Sequence, residues 1–329
     1  MIISQTPLRI SFLGGGTDFR DFYSKNKGLV LTSSIDKYVF VILNERYDEQ
    51  IVINYSKKES VNSVNEIRHE LVREAMIKTG VTSGIEITMI ADIPAEGTGL
   101  GSSSSFTVGL LNALYMLRGH QVTAEQLAKE ACEIEIDLCG KPIGKQDQYI
   151  AAYGGLCSII FSKNEKVIIK KIGLSDNQLR TFRNNFILFY SGITRKSERI
   201  LKEQKAGIIN TSEYLKSIKK LGQEGQANLE KNDYSSFGIL LDKNWTLKKK
   251  LASNISNPEI DLMYKKAMDA GAQGGKILGA GGGGFLLLFA SPGKHDAIRK
   301  ALNGYREMPF LFEKDGSKII FNYRRYSWK

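Results

Sequence analysis

The stretch Pro94-Ala95-Glu96-Gly97-Thr98-Gly99-Leu100-Gly101-Ser102-Ser103-Ser104-Ser105 runs straight into a helical pattern of apolar residues, Val108, Leu111, Leu114, Tyr115 and Leu117. Upstream, Gly84 to Met89 alternates apolar and polar residues with period two, as a strand does. Strand, glycine loop and helix start together form a physical recipe for holding phosphate. Glycines let successive backbone N–H groups turn toward one anion, and the helix N-terminus adds its positive end. Serine hydroxyls can bond phosphate or ligate a divalent cation. Gly97, Gly99, Leu100, Gly101, Ser102, Ser103 and Ser104 are therefore the candidate phosphate-binding residues. No Gly-Lys-Ser/Thr follows the glycines, so this is no Walker loop, and their period-two recurrence is not Gly-x-Gly-x-x-Gly. A surface linker with serine caps is the plain alternative, but linkers seldom sit between a strand and a strong helix.

Three further segments stand out. Gly274 to Gly284, containing four consecutive glycines, leads into the apolar run Phe285 to Phe289 and reads as a loop that another backbone or a ligand approaches closely. Pro7-Leu8-Arg9 opens a strand that runs into Gly14-Gly15-Gly16-Thr17-Asp18, where Asp18 could accept hydrogen bonds from substrate hydroxyls or be only a turn residue. Glu135, on a helix expected from Thr123 to Leu138, and Asp147 form an acidic pair. Phosphoryl transfer to a hydroxyl needs a cation ligand and often a carboxylate aimed at the attacking oxygen, and carboxylates on a helix surface are the bland alternative.

Composition narrows the class. The chain has 329 residues, 42% hydrophobic and 25% charged, as folded soluble domains do. It contains no apolar run of membrane-spanning length and no signal-peptide pattern at Met1 to Pro7, so a cytoplasmic protein with no membrane partner is expected. Three cysteines, none in a Cys-x-x-Cys spacing, predict buried structural thiols. The 46 basic against 35 acidic residues leave a net charge of +11, spread along the chain with short clusters at Lys248-Lys249-Lys250 and Arg324-Arg325. Those clusters read as solvated surface, and with no nucleic-acid motif beside them no nucleic-acid partner is expected. No histidine cluster, Gly-x-Ser-x-Gly or His-Glu-x-x-His suggests hydrolase chemistry. Strand hairpins mixed with helix clusters predict an α+β chain. The polar stretch Gly173 to Asn185 divides it into residues 1–175 and 176–329, with helices from Ser197 to Ala270 and a last strand from Lys318 to Arg324.

Taken together and in order, Pro7 to Asp18, Pro94 to Ser105 and Lys276 to Gly284 resemble the three motifs of the GHMP kinases. The resemblance implies a two-domain α+β fold with the active site in the cleft between the domains, and it implies ATP with Mg2+. It makes Ser102, with Ser103, and Glu135 the magnesium ligands. Asp147 becomes the carboxylate that takes the proton from the substrate hydroxyl. Arg9 becomes the cation beside it, favouring its charged form. Asp18, with Gly15 and Gly16, is implied to grip the substrate, and Gly281 and Gly282 to support the phosphate loop and substrate pocket. Gly144-Lys145-Gln146-Asp147-Gln148-Tyr149 and Gly192-Ile193-Thr194-Arg195 are similar to the bacterial D-glycero-D-manno-heptose 7-phosphate kinases, which phosphorylate the anomeric hydroxyl. Thr194 and Arg195 then join the substrate-binding residues, and Arg195, Lys196 and Arg199 are candidates to meet a phosphate already on the sugar. A fucokinase-like sugar 1-kinase, or a silent sugar and ATP sensor on the same fold, remains as the alternative. The oligomeric state is not legible.

Overall fold

The computed structural model describes residues 1–93, 97–194 and 197–323. β1 (Ile2–Leu13) begins with alternating burial and is buried throughout from Thr6 onward. After the Gly14–Asp18 turn come α1 (Arg20–Asn26) and the long β2 (Gly28–Glu45), then β3 (Ile51–Asn54), β4 (Lys58–Val61), α2 (Glu70–Thr79) and β5 (Ile85–Ala91). The glycine–serine loop leads into α3 (Ser102–Leu117), followed by α4 (Ala124–Cys132), α5 (Gln146–Tyr153), β6 (Leu156–Phe161) and β7 (Val167–Lys171). The remainder runs α6 (Asp176–Arg183), β8 (Phe186–Tyr190), α7 (Ser197–Ala206), α8 (Ser212–Glu230), α9 (Phe237–Lys248) and α10 (Pro258–Asp269). It closes with β9 (Gly274–Ile277), β10 (Phe285–Phe289), α11 (His295–Ala301), β11 (Arg306–Glu307) and β12 (Lys318–Asn322).

Two sheets organise these elements, and the fold is α+β as the sequence predicts. The larger has eight strands in the order β12-β1-β2-β5-β3-β4, with β6 on β2 and β7 on β6. All its pairings are antiparallel except β3 with β5. β12 returns from the far end of the chain to pair with β1. The smaller sheet runs β11-β8-β10-β9. In β10, Phe285, Leu287 and Phe289 join the core of the large sheet. Leu286 and Leu288 join a second core with Trp245, Ile260 and Met263. Period-two alternation between two apolar faces explains the unbroken apolar run.

Four local findings refine the sequence expectations. Pro7, which has no N–H for the ladder, sits where the β1–β2 register shifts, pairing with Tyr38 while Leu8 pairs with Ile35. Such a bulge re-aims nearby side chains, and Arg9 lies just beyond it. The helix expected to run to Leu138 leaves α geometry at Cys132 and finishes as a π-helical turn, Glu133–Leu138. The polar stretch around residue 175 holds α6, started by a reciprocal Ser175–Gln178 capping box. Gly274 to Ile277, expected as loop, is β9, antiparallel to β10. Its glycines make room for α9, since a Cβ on Gly274 would stand 1.9 Å from the Gly238 carbonyl oxygen.

The seam between α6 and the sheets is aromatic. Phe182 is fully buried, with ring centroids 4.9 Å from Phe237, 5.0 Å from Phe186 and 5.1 Å from Tyr234. Truncating it leaves a cavity that rigid neighbours cannot refill, so Phe182→Ala should cost about 3–5 kcal/mol in denaturant unfolding. A loss under about 1 kcal/mol would contradict this packing account.

Candidate active site

β1 and the start of α3 meet at Arg9. The Arg9 backbone N–H donates to the Leu100 carbonyl at 3.0 Å, which ties the glycine loop to the strand. Its side chain, 4% exposed, donates from Nη1 to the Gly99 carbonyl at 2.5 Å. The same guanidinium forks onto Asp147 in the first turn of α5, Nε to Oδ1 at 2.7 Å and Nη2 to Oδ2 at 2.6 Å. This bidentate pair fixes the carboxylate in position and orientation.

α3 starts at Gly101, which has φ of +80° and offers no side-chain cap. The N–H groups of the first turn are therefore free of a capping side chain, at the positive end of a 16-residue helix. Behind the loop stands the second glycine run. Gly99 (φ +74°) and Gly279 (φ +62°) pack backbone against backbone. A Cβ on Gly99 would lie 2.6 Å from the Leu278 oxygen, and one on Gly279 would lie 2.5 Å from the Gly99 Cα. This run buttresses the serine loop, as its glycines imply. A cleft of about 530 Å3 opens over both, lined by Gly97, Gly99, Gly101, Ser102 to Ser104, Glu135, Asp147, Thr194, Gly281 and Gly283, among others.

Glu135 lies within the π-helical turn and is fully buried. Ser103 Oγ donates to its Oε1 at 2.8 Å, and Gln148 Nε2 donates to its Oε2 at 2.6 Å. Burial pushes its carboxyl up to about 7 against those hydrogen bonds. Ser102 Oγ, also buried, has no hydrogen-bond partner. An unpartnered hydroxyl beside a buried carboxylate suits a hard divalent cation whose remaining oxygens come from phosphate and water. Among the described residues no cluster of three or more His, Cys, Asp or Glu forms a cage, so a cation here would depend on such added oxygens.

Asp18 is buried on the other side of Asp147. It accepts the Gly16 N–H at 3.0 Å and the Gln146 N–H at 3.2 Å. Burial first, and then the Asp147 charge, push it up to about 6. A small pocket lies beside it, lined by Gly15, Gly16 and Asp18 together with Arg9, Asp147, Lys248 and Lys276.

Not every sequence candidate faces these spaces. The Leu100 side chain is fully buried in the core, and only its carbonyl serves the loop, by holding Arg9. Gly282 donates its N–H to Ile255 at 2.8 Å and lines neither space. Arg195 and Lys196 lie outside the described residues. Lys248, expected as solvated surface, is instead 7% exposed and donates to the carbonyls of Ile277 and Gly279 at 3.0 and 2.6 Å. Lys276 is buried and donates to the Phe12 carbonyl at 3.0 Å. Gln148 and Gln204 also went unassigned. A lysine closing the largely apolar run Phe237 to Leu247 was the available signal for Lys248.

Similarity to known proteins gives the family. The family model "GHMP kinases N terminal domain" matches residues 62–155 and "GHMP kinases C terminal" matches residues 226–306. The chain belongs to the GHMP kinase family and is an ATP-dependent phosphotransferase. It is 30% identical, over 96% of its length and 98% of the relative's, to the D-glycero-alpha-D-manno-heptose 7-phosphate kinase of Campylobacter jejuni. It is 26% identical to the galactokinase of Pyrococcus furiosus, covering 92% of each chain. The crystal structure of a D-glycero-D-manno-heptose 1-phosphate kinase from Bacteroides thetaiotaomicron superposes with a TM-score of 0.81 at 26% identity, covering 99% of this chain and 100% of that one. No helix among the described residues is long and apolar enough to cross a membrane.

The backbone contact between the two glycine runs yields a test. Gly99→Ala adds a Cβ against the Leu278 carbonyl and strains a left-handed residue, a cost of order 1–3 kcal/mol. Affinity for a non-hydrolysable ATP analogue, measured by calorimetry, should fall at least about tenfold with the circular dichroism spectrum preserved. Unchanged affinity would contradict the buttress.

Proposed function

We propose that this chain is a sugar 1-kinase that phosphorylates the anomeric hydroxyl of D-glycero-D-manno-heptose 7-phosphate to give the 1,7-bisphosphate. The observation that carries the reading is the Arg9–Asp147 fork, which aims one carboxylate at the boundary between the large cleft and the small pocket. ATP phosphates lie over Gly97 to Ser104, held by the free N–H groups of α3. The sugar sits between Asp147 and Asp18, with Gly15 and Gly16 leaving it room. Asp147 accepts the proton of the anomeric hydroxyl as that oxygen attacks the terminal phosphorus and the bond to the leaving ADP oxygen breaks. Ser102 and Glu135 would hold Mg2+, which when bound neutralises phosphate charge. Alignment and charge neutralisation supply most of the rate.

Relatives named as heptose phosphate kinases support the choice of sugar. The cytoplasm is the proposed location, and the division at residue 175 the proposed domain boundary.

ATP consumption across heptose 7-phosphate, mannose, fucose and galactose, with the product located by phosphorus NMR, tests the substrate. Turnover selective for heptose 7-phosphate at its anomeric oxygen is expected. Turnover on another sugar removes the heptose, and none on any sugar removes the reading. Asp147→Asn should lose about 100-fold or more in kcat while ATP-analogue affinity holds, and near-normal turnover would remove the base.

Glu135 predicts a pH dependence. Without a bound cation its carboxyl titrates near 7, above its ordinary value, so the proton competes with the cation. Mg-nucleotide affinity should therefore rise as pH increases from about 6 to 8, with proton release visible by calorimetry in buffers of different ionisation enthalpy. Glu135→Gln should flatten that rise, and an unchanged pH profile in the variant would contradict the assignment.

A further inference from the structure

We propose that the small pocket lined by Arg9 and Asp18 is the subsite for a phosphate group already carried by the acceptor sugar, and that Lys248 and Lys276 hold it. The proposal rests on the sugar-kinase reading above and adds residues that its sequence motifs leave without a role.

The pocket measures about 80 Å3, against the roughly 10–15 Å3 that one water needs. Two lysines line it, both with side chains withdrawn from solvent. A buried ammonium normally pairs with a carboxylate, because an isolated charge in a low dielectric is costly. Among the described residues neither lysine makes an ion pair, and both donate only to backbone carbonyls. An ammonium has three donors, so Lys276 keeps two unspent, while Lys248 gives two to carbonyls and sits 5.9 Å from the centroid of the Trp245 ring. Arg9 stands beside them, but Asp147 already takes its fork. Burial and neighbouring positive charge act on both lysines. Burial first and Arg9 second push Lys276 down to about 7. Lys248 is held well below its ordinary value by burial, then by Lys276 and Arg9.

Polar groups without partners point the same way. Ser11 Oγ is buried without a hydrogen-bond partner, and Ser11 lines the pocket. Gln204, 4% exposed, also lines the pocket. Asp18 and Asp147 line the same pocket and are the groups proposed to meet the sugar hydroxyls, while the two lysines supply its cationic character. A dianion with several acceptor oxygens satisfies spare ammonium donors and a free hydroxyl at once. Arg199, the described member of the basic cluster expected for this role, is exposed on α7.

The test has two arms, each on the full chain. In the first, a non-hydrolysable ATP analogue fills the nucleotide site and inorganic phosphate is titrated in, followed by phosphorus NMR. One further equivalent should bind the wild type. Lys276→Met should weaken it at least about 30-fold, with ATP-analogue affinity and thermal melting held. Lys276→Gln serves as a second variant should the methionine fail to fold. Absence of phosphate binding in the wild type, or equal binding in the variants, overturns the subsite. In the second arm, kcat/KM is compared for a phosphorylated sugar and its unphosphorylated counterpart. The wild-type preference should collapse by a similar factor in Lys276→Met. An equal drop for both sugars would assign Lys276 a structural role. A preserved preference alongside lost phosphate binding would assign the pocket to free anion, not to the acceptor. If no sugar is turned over at all, the kinase reading fails and the first arm still decides the subsite.

Discussion

Arg9 is the residue on which the site depends. One side chain and its own backbone N–H join three parts of the chain that are distant in sequence: the first strand, the glycine–serine loop and the helix that carries Asp147. Removing Asp147 would leave the Arg9 guanidinium, itself withdrawn from solvent, without its charged partner, at a cost in stability. Losing Arg9 itself would also release the loop carbonyl at Gly99. Stability and positioning are thus vested in the same few atoms, and the bulge at Pro7 sets the strand from which Arg9 projects.

Around that hub the charges fall into zones. Buried carboxylates at Glu135 and Asp18 flank the Arg9–Asp147 pair, and the two lysines line the small pocket with Asp18. Glu135, Asp18, Lys248 and Lys276 are displaced from their ordinary titration ranges chiefly by burial, so each becomes more comfortable when a ligand of the opposite character arrives. On the proposed reading, phosphate would meet the helix N-terminus, a cation Ser102 and Glu135, and an anion Lys248 and Lys276. Oriented polar groups of this kind need little rearrangement when charge develops during transfer.

Much of this was legible in sequence because glycines declare backbone geometry locally. Gly99, Gly101 and Gly279 adopt the left-handed conformations that their residue type suggests, and strands such as Phe285–Phe289 announce themselves by composition. What escaped depended on distant contacts. Lys248 looks like its exposed neighbours Lys249 and Lys250 until the smaller sheet packs over it. Gly274 and Gly275 read as loop because nothing local says that α9 will press against them. α6 is too polar to show a core face except through Phe182, and the π-helical turn that buries Glu135 has no period of its own in the sequence.

The most direct test of the central claim is a crystal structure of the chain with a non-hydrolysable ATP analogue, magnesium and heptose 7-phosphate. The account predicts the anomeric oxygen within hydrogen-bond reach of Asp147, about 2.6–3.2 Å, with the terminal phosphate of the analogue in line beyond it and over the serine loop. A sugar bound with another hydroxyl at Asp147, or with its anomeric oxygen out of reach of that carboxylate, would contradict it.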